Sequence, residues 1–493
     1  MIEWAEIADE LLVFALIGVS GVGMGIMAGW RQPVLLAAVA VLFSGAVRVV
    51  TTLLMWSFGA YQLITEAWWI ASGLIAAATV MFVVWKKRGE ILPAMAIFGG
   101  MVGVSLITKY VLRIGERHHR DSVSAVETAL LLFQGELSPL EWPPEEKRGL
   151  VYPLMLALGG DGRLLVGLTP VIFLSLVLAA GWLAYTVLAP RWSEKSWWLT
   201  IAVVTAFSLT VPIIRVAYTY LNAHTFVALG LLAIVIGLIV GDSQSQLTTA
   251  TTSLVVTGSL VATAARVEAI SVVLVVLLAL ASQRWVFGYR NRLGVFLSFA
   301  ASGLTLPWWL GTIDSPVPSS FGMTAWLIAI VALLGALIVS SPLVDSFRHT
   351  LFTLAALLIV GILVGIPFAS GDPLSFFMAQ FNNVFRGYGG WGVAGPAFFA
   401  ILAIIGWKKR SSTYRKVAGL AVTVLVMALF AKLFDGGFGG GFGRDSFYDS
   451  VNRMWLHSIG LAFATLGIGL TEFFRDIARS TKPQKVSNIS SHD

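Results

Sequence analysis

The sequence predicts an all-α polytopic membrane protein with about 15 transmembrane helices. Three observations predict it. Of 493 residues, 57% are apolar and only 12% are charged, about half the charged share of an ordinary soluble domain. The mean hydropathy is +0.84. Apolar runs of about 20 residues, each enough to cross a ~30 Å hydrocarbon layer, recur along the whole chain. The acidic opening MIEWAEIADE lacks the basic start of a cleaved signal peptide. The chain has no cysteine, which excludes disulfides, zinc–thiolate sites and thiol catalysis. The formal charge of +7 lies in short loops between apolar runs, as membrane topology requires, and does not point to nucleic acid.

The first four spans are predicted at 11–29, 33–56, 66–85 and 92–112. Arg31 follows the first, and Lys86, Lys87 and Arg88 follow the third. Both loops therefore read as cytoplasmic, and the N-terminus as outside. The next segment, 113–162, is the longest polar stretch and falls on the outer side. Its apolar pieces, 122–134 and 150–159, are too short to span and predict amphipathic helices lying in the interface. Later spans are predicted at 164–188, 197–212, 223–240, 251–265, 268–283, 293–310, 322–340, 350–369, 392–406, 417–434 and 454–470.

Residues 250–283 can also be read as one long helix, which would place Arg284, Arg290 and Arg292 outside. A break at Ala265-Arg266-Val267-Glu268 keeps them inside. Arg191, Lys195, Arg348 and the cluster Lys408, Lys409, Arg410, Arg415 and Lys416 then fall inside too. So does the tail 476–493. The C-terminus is cytoplasmic on this reading, in a multi-pass protein of the cell membrane.

With the basic loops inside, the outer charges stand out. Beyond the long loop the main cations are Arg215, Arg266, Arg386, Arg444 and Arg453, each near the outer end of a span. Such arginines either snorkel to headgroups, pair between helices, or converge on a phosphate, whose oxygens match the guanidinium fork. Asp121 follows the run Glu116-Arg117-His118-His119-Arg120. It can act as a general base toward a hydroxyl or as the N-cap of the helix it precedes. His118 and His119 are adjacent and do not share a helix face, so a metal site is not predicted there. The Gly-rich DGGFGGGFGRDS, 435–446, lacks GxxxxGK[ST] and reads as an outer loop.

The order of these features resembles the GT-C glycosyltransferases, polytopic enzymes that use lipid-phosphate-linked sugars on the non-cytoplasmic face. In the first large outer loop the similar pattern is Asp121, then ALLLFQG ending at Gly135, then Pro143 and Pro144, then RGLVYPLMLAL at 148–158. PIIRVAYTYLNAHTF (212–226) resembles the family's short second outer loop. ATAARVEAI (262–270) resembles its Arg-Pro-Glu break, and DSVNRMWLHSIG (449–460) its late arginine before a final span. The chain departs from the family at Ser122, where a second acidic residue is usual, and at Val267, where a proline is usual. Residues 1–91 add three spans ahead of the GT-C-like region 92–475.

The resemblance implies an inverting transfer from a polyprenyl-phosphate sugar to a hydroxyl of a protein, glycan or lipid. Asp121 matches the catalytic base. Arg453, Arg266 and Arg215 match a donor-phosphate clamp. His118, His119, Tyr218, Tyr220, Asn222, His224 and Glu268 are candidates for the substrate pocket, and ordinary interface aromatics are the other reading of the tyrosines. The second outer loop has no Asp or Glu, so no carboxylate pair for a hard metal is expected and the reaction is predicted to need no cofactor. A transporter or flippase, and a polysaccharide polymerase or ligase acting on lipid-linked sugars, are the rival readings. Arg48, inside the second span, is the residue a transporter would explain.

Overall fold

Proline stands at the first position of four helices in the computed structural model: Pro33, Pro190, Pro212 and Pro373. Its ring presets a helical φ, and its missing N–H falls where a helix has no internal partner. The structure describes residues 4–86, 89–111, 126–131, 150–159, 165, 167–186, 190–219, 223–243, 248–266, 269–270, 272–273, 277, 289–305, 373–393, 395–397 and 455–480. Among these, all regular structure is helical.

The helices are α1 (Trp4–Met27), α2 (Pro33–Ser57), α3 (Ile64–Lys86) and α4 (Ile91–Leu106), the last continued by a π-helical turn, Ile107–Val111. There follow α5 (Val151–Leu156), α6 (Leu168–Thr186), α7 (Pro190–Thr210), α8 (Pro212–Thr219), α9 (His224–Ser243) and α10 (Thr249–Ala265). The remaining helices are α11 (Tyr289–Gly303), α12 (Pro373–Phe385) and α13 (Ile459–Ser480), which follows a 3-10 turn, Trp455–Ser458.

Seven helices among the described residues are long and apolar enough to cross a membrane: α1, α2, α3, α4, α6, α9 and the Trp455–Ala478 stretch. All seven lie on predicted spans. The chain is thus an all-helical polytopic membrane protein. The predicted spans 322–340, 350–369 and 417–434 lie outside the described residues. The expected break is present, because α10 stops at Ala265 and Arg266 is extended (φ −153°, ψ 138°). Helical backbone resumes at Ala269, whose N–H bonds the Arg266 carbonyl.

α2, α6, α9 and the Trp455–Ala478 stretch form the centre, with 83%, 83%, 89% and 83% of their spans buried, whereas α3 is only 17% buried. Lipid is as apolar as leucine, so helices in a membrane join chiefly by close packing at small residues. α9 and α10 meet this way. A Cβ on Gly230 would lie 2.7 Å from the Gly258 carbonyl oxygen. Thr248 starts α10 with a capping box: its Oγ1 accepts from the Thr251 N–H, and Thr251 Oγ1 accepts from the Thr248 N–H. That closes two donors a helix start leaves open.

Contacts between elements define two ends of the bundle. At one, Trp30 donates to the Ala250 carbonyl at 2.8 Å and packs edge-on against Trp182. At the other, the start of α9 meets the 3-10 turn before α13, and the end of α10 meets Leu150. We call the latter the His224 end.

Two features depart from the sequence reading. The 150–159 piece is not laid on a surface. Every residue from Leu150 to Leu158 is at most 1% exposed, apart from Pro153, which is also buried. The physical reason is its composition: VYPLMLAL is apolar on all faces and has no polar side to offer an interface. The other piece, 122–134, is helical over the described residues 126–131. Arg48 is the second feature. It is fully buried in α2, and its guanidinium donates to the carbonyls of Leu154 (3.2 Å) and Ile64 (2.7 Å) and to Thr65 Oγ1 (3.3 Å). It ties α5 and the start of α3 to α2.

Candidate functional site

α8 is a single short helix between two longer ones, and it carries Arg215 and Tyr218 across the His224 end. Arg215 is exposed. Tyr218 is half-buried, shares a hydrogen bond of 2.9 Å with Thr108 Oγ1 and packs edge-on against Phe173. Its hydroxyl is therefore tied to α4. The Ile213 N–H bonds the Gly390 carbonyl, which joins α8 to the turn after α12. Gly387, Gly390 and Gly392 all have positive φ there, so the chain can double back tightly. That turn carries the exposed Arg386 and sets Trp391 6.2 Å from Trp455.

Two residues beyond Trp455 lies His457. Its Nε2 is 2.8 Å from Nδ1 of His224, the first residue of α9. Both imidazoles are buried, at 0% and 4% exposure. A single proton bridges two ring nitrogens at that distance. His457 Nδ1 is also buried and has no hydrogen-bond partner among the described residues. Arg266, half-buried at the end of α10, is near enough to act on His457 through its charge.

A second polar cluster lies on α4. Within the π-helical turn, Thr108 faces Tyr218 while the next residue, Lys109, reaches Glu10 of α1 at 2.5 Å. Consecutive helical side chains point about 100° apart, so the two serve different neighbours, and π-helical turns are frequent at functional sites. Ser105 of the same helix donates to the Gly167 carbonyl at 2.6 Å.

Of the residues singled out from sequence, Arg215, Tyr218, His224 and Arg266 lie at one end of the bundle. Tyr218 is engaged with α4, and His224 faces His457. Asp121, His118, His119, Tyr220, Asn222, Glu268, Arg444 and Arg453 lie outside the described residues. His457 was not singled out from sequence. Its signal was an ionisable side chain inside an apolar run, which marks function in a membrane segment. Glu472 in α13 was missed in the same way: it is fully buried, with neither carboxylate oxygen hydrogen-bonded among the described residues. No family model, curated protein or solved structure matches this chain, so the site is read from its own residues.

Proposed function

We propose that this chain is an integral membrane glycosyltransferase. It moves a sugar from a polyprenyl-phosphate donor to an acceptor hydroxyl at the outer membrane surface. The observation that carries the reading is the interruption of α10 at Arg266, whose charge reaches the buried His224–His457 pair. A cation at a helix end, backed by buried hydrogen-bonding groups, suits an anionic group delivered from lipid.

In this reading Asp121 takes the proton of the acceptor hydroxyl. The acceptor oxygen bonds the anomeric carbon, and the bond from that carbon to the phosphate oxygen breaks with its electron pair. One displacement inverts the carbon. Arg266, Arg453 and Arg215 stabilise the charge that grows on the departing phosphate. His118, His119, Tyr220, Asn222 and Glu268 remain candidates for the sugar and acceptor pocket.

The test is transfer of labelled sugar from polyprenyl-phosphate donors by the purified chain in detergent. Asp121→Asn should slow transfer at least about 100-fold, and Arg266→Ala about 100- to 1,000-fold. An unchanged rate in Asp121→Asn removes it as the base. A transporter of lipid-linked or hydrophobic substrates is the second reading, and Glu472 favours it, because intramembrane carboxylates mark ion and substrate pathways. Substrate exchange in liposomes without any transfer would put that reading first.

A further inference from the structure

The hydrogen bond between His224 and His457 admits two arrangements. If His457 donates, its Nδ1 is a bare lone pair. If His224 Nδ1–H donates, His457 carries its remaining proton on Nδ1. Arg266 acts on this ring by charge, and Nδ1 has no hydrogen-bond partner among the described residues. An N–H donor and a guanidinium present the same sign of potential. In the second arrangement the two together suit an oxyanion and disfavour a cation. The ring is also fixed from both sides: His224 sits at the head of α9, and His457 is enclosed in the 3-10 turn that opens α13.

We infer that His224 and His457 form a phosphate-recognition element, in which His457 Nδ1–H bonds an oxygen of a lipid-borne phosphate beside Arg266. His457 is a binding residue. His224 is a positioning residue, which accepts no contact from the ligand but holds His457 in the tautomer that can donate. The ligand class is a polyprenyl phosphate: the bridging phosphate of the donor, then the polyprenyl monophosphate left after transfer. This rests on the glycosyltransferase reading for the identity of the lipid. It does not rest on Asp121.

The test compares binding of polyprenyl monophosphate, polyprenol and inorganic phosphate to the full chain in detergent. His457→Asn keeps an amide N–H near the place of Nδ1–H, whereas His457→Gln keeps one near the place of Nε2. Gln is one methylene larger than Asn, so polyprenol binding, which needs no phosphate contact, is the control for packing. Polyprenyl monophosphate should bind His457→Asn within a few-fold of wild type and His457→Gln about 10-fold or more weakly. Polyprenol binding should be the same in both. ¹⁵N-histidine spectra should show one tautomer of His457 in wild type and a mixture in His224→Phe, with phosphate binding weakened in step. Equal phosphate affinity in His457→Asn and His457→Gln overturns the inference. So does an equal loss for phosphate and alcohol. Inorganic phosphate bound as tightly as the lipid form overturns the assignment to a lipid. If sugar transfer occurs while binding ignores His457, this inference falls and the glycosyltransferase reading stands. If transfer never occurs but His457-dependent binding does, the reverse holds.

Discussion

Arg48 shows how a single buried charge can be structural. Its three donors reach two main-chain carbonyls and a threonine hydroxyl on two elements, α5 and α3. Removing it leaves carbonyls of Ile64 and Leu154 without that donor, at about 1–3 kcal/mol for each buried group so orphaned. Arg48→Met should therefore lower stability by about that amount or more, measured by thermal unfolding in detergent. Arg48→Lys, with one compact ammonium in place of a fork, should restore only part of it. The sequence marked Arg48 as costly, but not what it held, because its partners lie on α3 and α5 and a carbonyl carries no sequence signature. His224 was legible as polar and near a span end. Its partner, 233 residues away, was not. Pair geometry depends on how α9 and α13 are packed, and one sequence does not encode that in any local pattern.

At the scale of elements, the seven spans seen among the described residues were legible because a hydrocarbon layer demands long apolar runs, and these stand out from polar loops. The break after Ala265 was legible from loop charge alone. The fate of α5 was not, since an apolar stretch of that length suits an interface or an interior equally well. Helix contacts obey a finer rule, and the glycines separate into two groups. Gly230 lies against the Gly258 carbonyl, whereas Gly99 and Gly103 of α4 have open space where a Cβ would go. Gly230→Leu should force α9 and α10 apart and cost about 1–3 kcal/mol. Gly99→Ala should be neutral or raise stability by about 0.5–1 kcal/mol, since alanine is the better helix former. Melting temperatures of the two variants, side by side, check both directions.

For the whole molecule, the described residues of the first three helices share one core with those that follow. Apolar side chains from Val13 to Ile468 form one buried cluster, and α2 packs against α5, α6 and α10 as well as α1. A chain beginning at Ile64 should fail to give a folded monomer in detergent, and size-exclusion chromatography with limited proteolysis would show it as aggregated and readily cut. The same arrangement has a consequence in time. Leu154, which Arg48 needs, is made 106 residues after it, about 5–20 s later at ordinary synthesis rates. During that interval α2 is already in the membrane, with a central arginine that costs about 2.5–3.5 kcal/mol to insert. The strongly apolar remainder of α2 must hold it there, so a helix whose span ends 83% buried first meets lipid on faces that protein later covers.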